Sequence, residues 1–189
     1  MPARRSNSLE CLIEIVDYNL DWPARFEMLQ QLYGRALTGV AILGIEHVGS
    51  TSVPGLAAKP VIDIDIVVTV DRVPRASEAM ERAGFLSLGE RGIPERRALQ
   101  APSHLPRTNT YVVVEASLAL RNHLAVRDQL RREATLRDEY AALKRLIAAS
   151  VHDIDEYAEK KSSFLSVVLE LAGLTIEERD AIEIANRSQ

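Results

Sequence analysis

The strongest structural constraint in this sequence is the apolar segment VIDIDIVVTV, residues 61–70, which carries Asp63 and Asp65 near its centre. The β-branched residues around both aspartates are typical of a buried strand. Side chains alternate between the two faces of a strand, so both carboxylates point to one face and the isoleucines between them to the other. Packing gives no reason for this pair, whereas Mg²⁺ is commonly held by one or two carboxylates together with substrate phosphates. A solvent-facing strand surface is the alternative interpretation.

The segment HVGST, residues 47–51, places a Gly-Ser turn directly after an apolar run. Backbone N–H groups at Gly49, together with the hydroxyls of Ser50 and Thr51, are suited to hold phosphate oxygens. Lys59 follows between the turn and the aspartates, where an ammonium group can neutralise phosphate charge. His47 is either a general base or phosphate contact, or a structural residue that caps the strand. Together these features favour phosphoryl or nucleotidyl transfer, which depends on positioning and charge neutralisation.

The rest of the chain predicts strands and helices in mixed order up to residue 117, and helices alone after it. This order predicts one α+β domain over residues 1–189, with a helical C-terminal part over about 118–189 packed on a mixed sheet. The predicted strands cover residues 9–18, 40–48, 61–70, 84–90, 94–100 and 109–116. The predicted helices cover residues 21–37, 74–83, about 118–149 and about 154–172, with a short one after residue 175.

Basic residues fall on the apolar faces of the long C-terminal helices. Lys161 shares the helical face of Tyr157, so its ammonium either reaches water or enters a polar cleft beside the sheet. Lys144 repeats this offset from Tyr140. The pair 127 and 131, both arginines, is interpreted either as helix-edge packing or as a contact for an anionic substrate.

Composition limits the partners. The formal net charge is −4 and aromatic residues make up 5%, so binding to nucleic acid or to an anionic membrane surface is not expected. The single cysteine, Cys11, excludes an intrachain disulfide and a zinc–thiolate site. The four histidines lack metal-ligand spacing, and no apolar run is long enough to span a membrane. These features indicate a cytoplasmic protein, and they leave the oligomeric state open.

The string HVGSTSVPGLAAKPVIDIDIVV, residues 47–68, closely resembles the hallmark segment of the GrpB family. Weaker matches are VDYNLDWPARF near the start, GIPERRAL in the middle, and AVRDQLR, YAALK and YAEKKSSF near the end. The resemblance covers roughly residues 13–173. It implies a nucleotidyltransferase-like mixed sheet with helices, and a cleft in which the Gly-Ser turn faces the aspartates.

Carried over by position, the resemblance implies that Gly49 and Ser50 contact nucleotide phosphates, while Asp63 and Asp65 bind Mg²⁺. Active members of the wider superfamily usually add a third carboxylate from a neighbouring strand. Here Glu115, at the end of the strand 109–116, is the one carboxylate nearby, so we predict it as a metal ligand. The family tends to carry histidines in this strand, and the corresponding positions here are Asn109, Thr110 and Val112.

The leading hypothesis is a Mg²⁺-dependent nucleotidyltransferase that moves a nucleoside monophosphate from a triphosphate to an unidentified acceptor. Asp63 and Asp65 are then catalytic, and Lys59 or Lys161 neutralises the developing charge. The alternative is a catalytically inactive module that binds a nucleotide or a CoA-like ligand, or a protein partner. A toxin or antitoxin role rests only on analogy with other small nucleotidyltransferases.

Overall fold

In the computed structural model, which describes residues 13–151 and 153–187, five strands form one mixed sheet. The strands are β1 (Gly44–Val48), β2 (Ile62–Val68), β3 (Leu86–Gly89), β4 (Arg96–Gln100) and β5 (Thr108–Val114), in the spatial order β1-β2-β5-β4-β3. The helices are α1 (Trp22–Ala36), α2 (Val73–Arg82), α3 (Leu118–Arg132), α4 (Ala134–Ser150), α5 (Ile154–Leu171) and α6 (Ile176–Arg187). The predicted α+β class and mixed sheet are confirmed.

Strand β2 lies inside the sheet, antiparallel to β1 and parallel to β5. The connection between the parallel strands contains α2 and the antiparallel pair β3–β4, and β4 also pairs with β5. Since β2 has a neighbouring strand on both sides over residues 63–67, most of its backbone is paired within the sheet and its position is well determined. The residues at its two ends are therefore held at defined places in the sheet.

The two faces of β2 differ as its alternation predicts. Ile64 and Ile66 are fully buried on one face, in a core that includes Trp22 of α1 and Met80 of α2. The aspartates lie on the opposite face, toward the C-terminal helices. Burial of such apolar side chains contributes roughly 1.5–3 kcal/mol each, so the apolar face determines which way the aspartates point.

The C-terminal helices pack on the aspartate face of the sheet. Helix α3 lies against β1 and β5, and α5 packs against both α3 and α4. Leu130 of α3, Tyr140 of α4 and Val168 of α5 meet in one buried cluster. None of the described helices is long and apolar enough to cross a membrane.

Two sequence predictions need correction. The predicted helix over 118–149 is two helices, because Glu133 has an extended backbone with φ −110° and ψ 96°. In one straight helix Leu130 and Tyr140 would lie about 15 Å apart along the axis. The bend at Glu133 instead lets both side chains pack in the same cluster. Part of the predicted strand 9–18, residues 9–12 with Cys11, lies outside the described residues. In residues 13–18 the structure has no strand, and Val16 forms only an isolated bridge to Ala58.

Candidate functional site

The Gly-Ser turn lies directly against Asp63. Val48, the last residue of β1, pairs with Asp63 of β2, and the next residue is Gly49 with φ 67°. A Cβ at Gly49 would stand 2.6 Å from the Cγ of Asp63, a distance that real contacts do not reach. Glycine is therefore required here both by the backbone conformation and by the close approach of the carboxylate.

A cavity of about 680 Å³ opens between this turn, the loop before β5, and helices α4 and α5. This volume is typical of small-molecule sites. Five of the predicted site residues line the cavity: Ser50, Thr51, Lys59, Asp63 and Lys161. Four others lie outside its lining: His47, Gly49, Asp65 and Glu115.

Asp63 is the carboxylate that faces the cavity. Its Oδ1 accepts a hydrogen bond of 2.7 Å from Asn109 Nδ2 on β5, which pairs with it in parallel register. Burial raises the pKa of Asp63, and the charge of Asp65 raises it further, while the Asn109 bond and the charges of His123 and Lys161 act in the opposite direction. A cation or a proton donor in the cavity would therefore stabilise the ionised carboxylate.

Asp65 is completely buried behind this site. Its Oδ2 lies 2.7 Å from Nδ1 of His123 on α3, and its Oδ1 has no hydrogen-bond partner among the described residues. Burial alone would lower the pKa of His123, but the charge and hydrogen bond of Asp65 outweigh it and raise that pKa. The histidine therefore holds the buried carboxylate by a charge-assisted bond. The sequence alone does not single out His123, because nothing in its local pattern places α3 over β2.

Two lysines stand on the helical side of the cavity. Lys144 of α4 is 2% exposed and its Nζ donates a hydrogen bond of 2.9 Å to Ser50 Oγ. Burial, the charge of Lys161 and that of Arg145 lower the pKa of Lys144 to about 7. Burial likewise lowers the pKa of Lys161 to about 8, although Asp63 opposes this shift. Both ammonium groups lie over tyrosine rings, at 4.5 Å for Tyr140 and 4.4 Å for Tyr157.

His47 has structural contacts instead of cavity contacts. Its ring stacks on Phe26 at 4.6 Å, and its Nε2 lies 3.0 Å from Thr51 Oγ1. The Thr51 hydroxyl donates its proton to the carbonyl of Val61, so it accepts a hydrogen bond from His47. The neutral ring of His47 therefore carries its proton on Nε2. Burial, with the charges of Arg131 and Arg127, lowers the pKa of His47 to about 4. The geometry therefore favours the structural interpretation, and Thr51 offers a phosphate only its backbone N–H.

The arginines of α3 also hold the turn. Arg127 Nη1 donates to Glu46 Oε2 at 2.7 Å and to the carbonyl of His47 at 3.2 Å. Arg131 donates from Nε and Nη2 to the carbonyl of Ser52, at 3.0 and 2.7 Å. These contacts support helix-edge packing for both arginines. They attach α3 to the phosphate-binding turn that sequence analysis predicted.

Glu115 does not join the aspartate pair, which corrects its prediction as a third metal ligand. It is exposed and follows the last residue of β5, whereas Asp63 lies opposite Asn109, six positions earlier. At 3.3 Å per residue this separation is about 20 Å along the strand. No cluster of three or more histidine, cysteine or acidic side chains that could hold a metal was found in residues 13–151 and 153–187.

The donor set nevertheless fits a magnesium ion shared with phosphates. The Asp63 carboxylate borders the cavity, and two positions along β2 the buried Oδ1 of Asp65, which has no hydrogen-bond partner in residues 13–151 and 153–187, is a second hard oxygen. Mg²⁺ is usually held by one or two carboxylates plus substrate phosphates and water. The arrangement therefore suits a metal shared with a phosphate-containing ligand, as opposed to a metal caged by protein alone.

Comparisons of the sequence and of the structure with known proteins agree on one family. The family model described as GrpB protein matches residues 12–171. UPF0157 protein YqkA of Bacillus subtilis is 33% identical over 162 residues, 85% of this chain but only 47% of YqkA, so the chain spans about half of that relative. UPF0157 protein BH1888 of Halalkalibacterium halodurans is 34% identical over 86% of this chain and 84% of its own length. The crystal structure of conserved protein GrpB from Enterococcus faecalis matches with a TM-score of 0.75 and 31% identity, covering 84% of this chain and 96% of that one.

Proposed function

This chain belongs to the GrpB family, and we propose that it is a magnesium-dependent nucleotidyltransferase that transfers a nucleoside monophosphate to a small acceptor. The observation that carries the proposal is the contact of the Gly49 turn with Asp63, at a cavity whose opposite wall holds Lys144 and Lys161. A metal-binding carboxylate, a backbone turn and two cations around one cavity match the needs of a triphosphate.

In the proposed arrangement each group has a separate role. Backbone N–H groups after Gly49 and the ammonium of Lys144 bind the phosphates, while Lys161 neutralises charge that develops on the leaving pyrophosphate. Asp63, supported by Asp65, holds the magnesium ion, which when bound supplies charge neutralisation at the phosphates. Lys59, which also lines the cavity, adds positive charge on the sheet side.

The reaction itself is an in-line displacement. An acceptor hydroxyl oxygen forms a bond to the α-phosphorus, and the bond from that phosphorus to the oxygen of the β-phosphate breaks. Pyrophosphate leaves with the bonding electrons, and the proton of the hydroxyl passes to water in the open cavity. The products are a nucleotidylated acceptor and pyrophosphate. Catalysis depends on alignment and charge stabilisation, because the protein forms no covalent bond.

The test is calorimetric titration of ATP, GTP, CTP and UTP with and without Mg²⁺. We expect magnesium-dependent binding that weakens by about tenfold or more in Asp63→Asn, because a charged ligand is replaced by a neutral one. Asp71→Asn is the matched control, since Asp71 is an exposed carboxylate outside the cavity. Binding that ignores magnesium, or that survives unchanged in Asp63→Asn, contradicts the proposal.

A binding module without turnover is the second candidate, and one observation favours it. Among the described residues, no third carboxylate joins Asp63 and Asp65. The two candidates differ in pyrophosphate release when the protein is incubated with a triphosphate and a small-molecule extract of cells. Release that disappears in Asp65→Asn requires an enzyme, whereas tight nucleotide binding without release supports the binding module.

A further inference from the structure

A second recess opens on the same face of the sheet, beside the cavity. It has a volume of about 330 Å³. It shares four lining residues with the cavity, so the two spaces adjoin: Gln100, Thr108, Asn109 and Tyr111. We refer to this space as the β4–β5 recess. A molecule in it would lie next to Asp63, because Asn109 is hydrogen-bonded to that carboxylate.

The strand register explains where the recess lies. Asn109 pairs with Asp63, Tyr111 is two residues farther along the same face, and Ala98 of β4 pairs with Tyr111. These side chains therefore form a continuous path across the sheet from the aspartate. Ala98 is small and leaves room on this face. Leu88 of β3, 39% exposed, lies at the outer end of the recess.

The recess is positively charged. Arg91 and Arg96 are among its lining residues, and none of the residues that line it is acidic. The guanidinium of Arg96 is held 4.3 Å above the ring of Tyr111, and the side chain is 4% exposed. A buried guanidinium in a fixed position is suited to bind a phosphate or a carboxylate with two hydrogen bonds.

Arg91 supplies the second charge from an unusual backbone position. It is a non-glycine residue with φ 49°, in the turn between β3 and β4. Such conformations cost on the order of 1 kcal/mol or more and concentrate at functional sites. Burial lowers the pKa of Arg96, and the nearby charge of Arg91 lowers it further, while Asp65 and Tyr111 oppose the shift. Two cations that repel each other across one recess favour an anion between them.

We propose that the β4–β5 recess binds the acceptor, and that the acceptor is a small hydroxyl compound carrying a phosphate or carboxylate group. This inference rests on the proposed nucleotidyl transfer. The anionic group binds Arg91 and Arg96, and the hydroxyl points along Asn109 toward Asp63. Its oxygen then attacks the α-phosphorus, with pyrophosphate leaving and the proton passing to water. The volume of the recess suits a small molecule, at the low end of known sites.

The experiment titrates three matched probes, each at millimolar concentration, and follows them by calorimetry and by amide chemical shifts. Glycerol 3-phosphate carries a phosphate, glycerate carries a carboxylate, and glycerol is the neutral control. The variant is Arg91→Gln, since Arg91 is exposed and its replacement leaves the core intact. The matched control is Arg107→Gln, because Arg107 is an exposed arginine that lines the cavity but not the recess.

We expect at least one anion to bind while glycerol does not, and the binding to weaken about tenfold in Arg91→Gln but not in Arg107→Gln. Which anion binds identifies the acceptor group. Failure of both anions to bind overturns the inference, as does equal binding by Arg91→Gln and the unmodified protein. Weaker binding only in Arg107→Gln overturns it as well, since the anion would then occupy the cavity.

A parallel titration with Mg²⁺ and a non-hydrolysable ATP analogue separates the two proposals. Nucleotide binding without anion binding leaves the proposed function standing and rejects the recess as the acceptor site. Arg91-dependent anion binding without nucleotide binding rejects nucleotidyl transfer, and with it the acceptor role of the recess. Binding of both, with the anion still sensitive to Arg91 when nucleotide is present, supports both proposals.

Discussion

Gly49 and Asp63 approach each other so closely across β1 and β2 that no side chain fits between them. A Cβ at Gly49 would lie 2.6 Å from Asp63 Cγ and 2.9 Å from Asp63 Cβ. The contact places the turn directly against the carboxylate that borders the cavity. This is the turn that the sequence predicts to bind phosphate. Any residue larger than glycine must displace one of them.

The first prediction concerns Gly49→Ala. We expect a loss of about 1–3 kcal/mol in the free energy of unfolding, together with loss of magnesium-dependent nucleotide binding. Gly39→Ala is the matched control, because Gly39 has φ 83° but nothing within 4 Å of an added Cβ. Urea unfolding and calorimetric titration measure the two effects. Equal behaviour of the two variants would show that the contact with Asp63 is unimportant.

The second prediction concerns proton uptake on nucleotide binding. Lys144 and Lys161 have pKa values lowered to about 7 and about 8, so at pH 8 both are partly neutral. Phosphates beside them favour the charged form and raise both pKa values, so the complex holds more protons than the free protein. Affinity should therefore fall as the pH rises from 7 to 9.

Calorimetry in two buffers with different ionisation enthalpies measures this uptake directly. Lys144→Gln should reduce the uptake, because one of the two groups is then absent. Lys160→Gln is a suitable control, since Lys160 is an exposed lysine that pairs with Glu156 outside the cavity. A nucleotide affinity that is constant between pH 7 and 9 would contradict the proposed contacts of both lysines with phosphate.

The third prediction concerns acid stability and His47. The pKa of His47 is about 4 in the folded protein, below the ordinary value of 6.5. The unfolded chain therefore binds more protons, so His47 contributes stability above pH 6.5 that is lost as the pH falls toward 4. The full shift corresponds to roughly 3 kcal/mol. Urea unfolding as a function of pH checks this dependence.

His47→Gln should reduce the slope of stability with pH while keeping a hydrogen bond to Thr51. Its nucleotide affinity should stay within about twofold of the unmodified protein, because His47 does not line the cavity. A large loss of nucleotide affinity in His47→Gln would instead favour the phosphate-contact interpretation.

The fourth prediction concerns the buried pair Asp65–His123. His123→Ala removes the one hydrogen bond found for this buried carboxylate among the described residues, so we expect a loss of about 3–5 kcal/mol. Asn109→Ala should cost only about 1 kcal/mol, since Asp63 borders the cavity and can bind water. Adding Asp65→Asn to His123→Ala should recover part of the loss. Equal losses in the two single variants would contradict this account.

The sequence predicted the parts of the fold that local patterns determine. The alternation in β2, the glycine after β1 and the apolar face of α5 each follow from residues close together in the chain. The orientation of Asp63 followed from the same patterns, which for Lys161 left two positions open, in water or in a cleft beside the sheet. Strand pairing across 46 residues placed Asn109 opposite Asp63, and no local pattern encodes that pairing.

The residues that the sequence did not identify depend on tertiary packing. His123 reaches Asp65 only because α3 crosses the sheet, 58 residues later in the chain. The break at Glu133 has no glycine or proline to mark it and follows from packing of α3 and α4 into one cluster. Glu115 is predicted as a metal ligand because it lies near the end of a strand. The pairing of β2 with β5 places that end far from Asp63.

The two sides of the cavity come from successive parts of the polypeptide. Gly49, Asp63 and Asn109 belong to the sheet, whereas Lys144 and Lys161 belong to helices that follow residue 117. The ribosome therefore synthesises the strands that carry the aspartates before the helices that carry the two lysines. We expect the opposite charges of Asp63 and Lys161 to favour docking of α5 on the sheet.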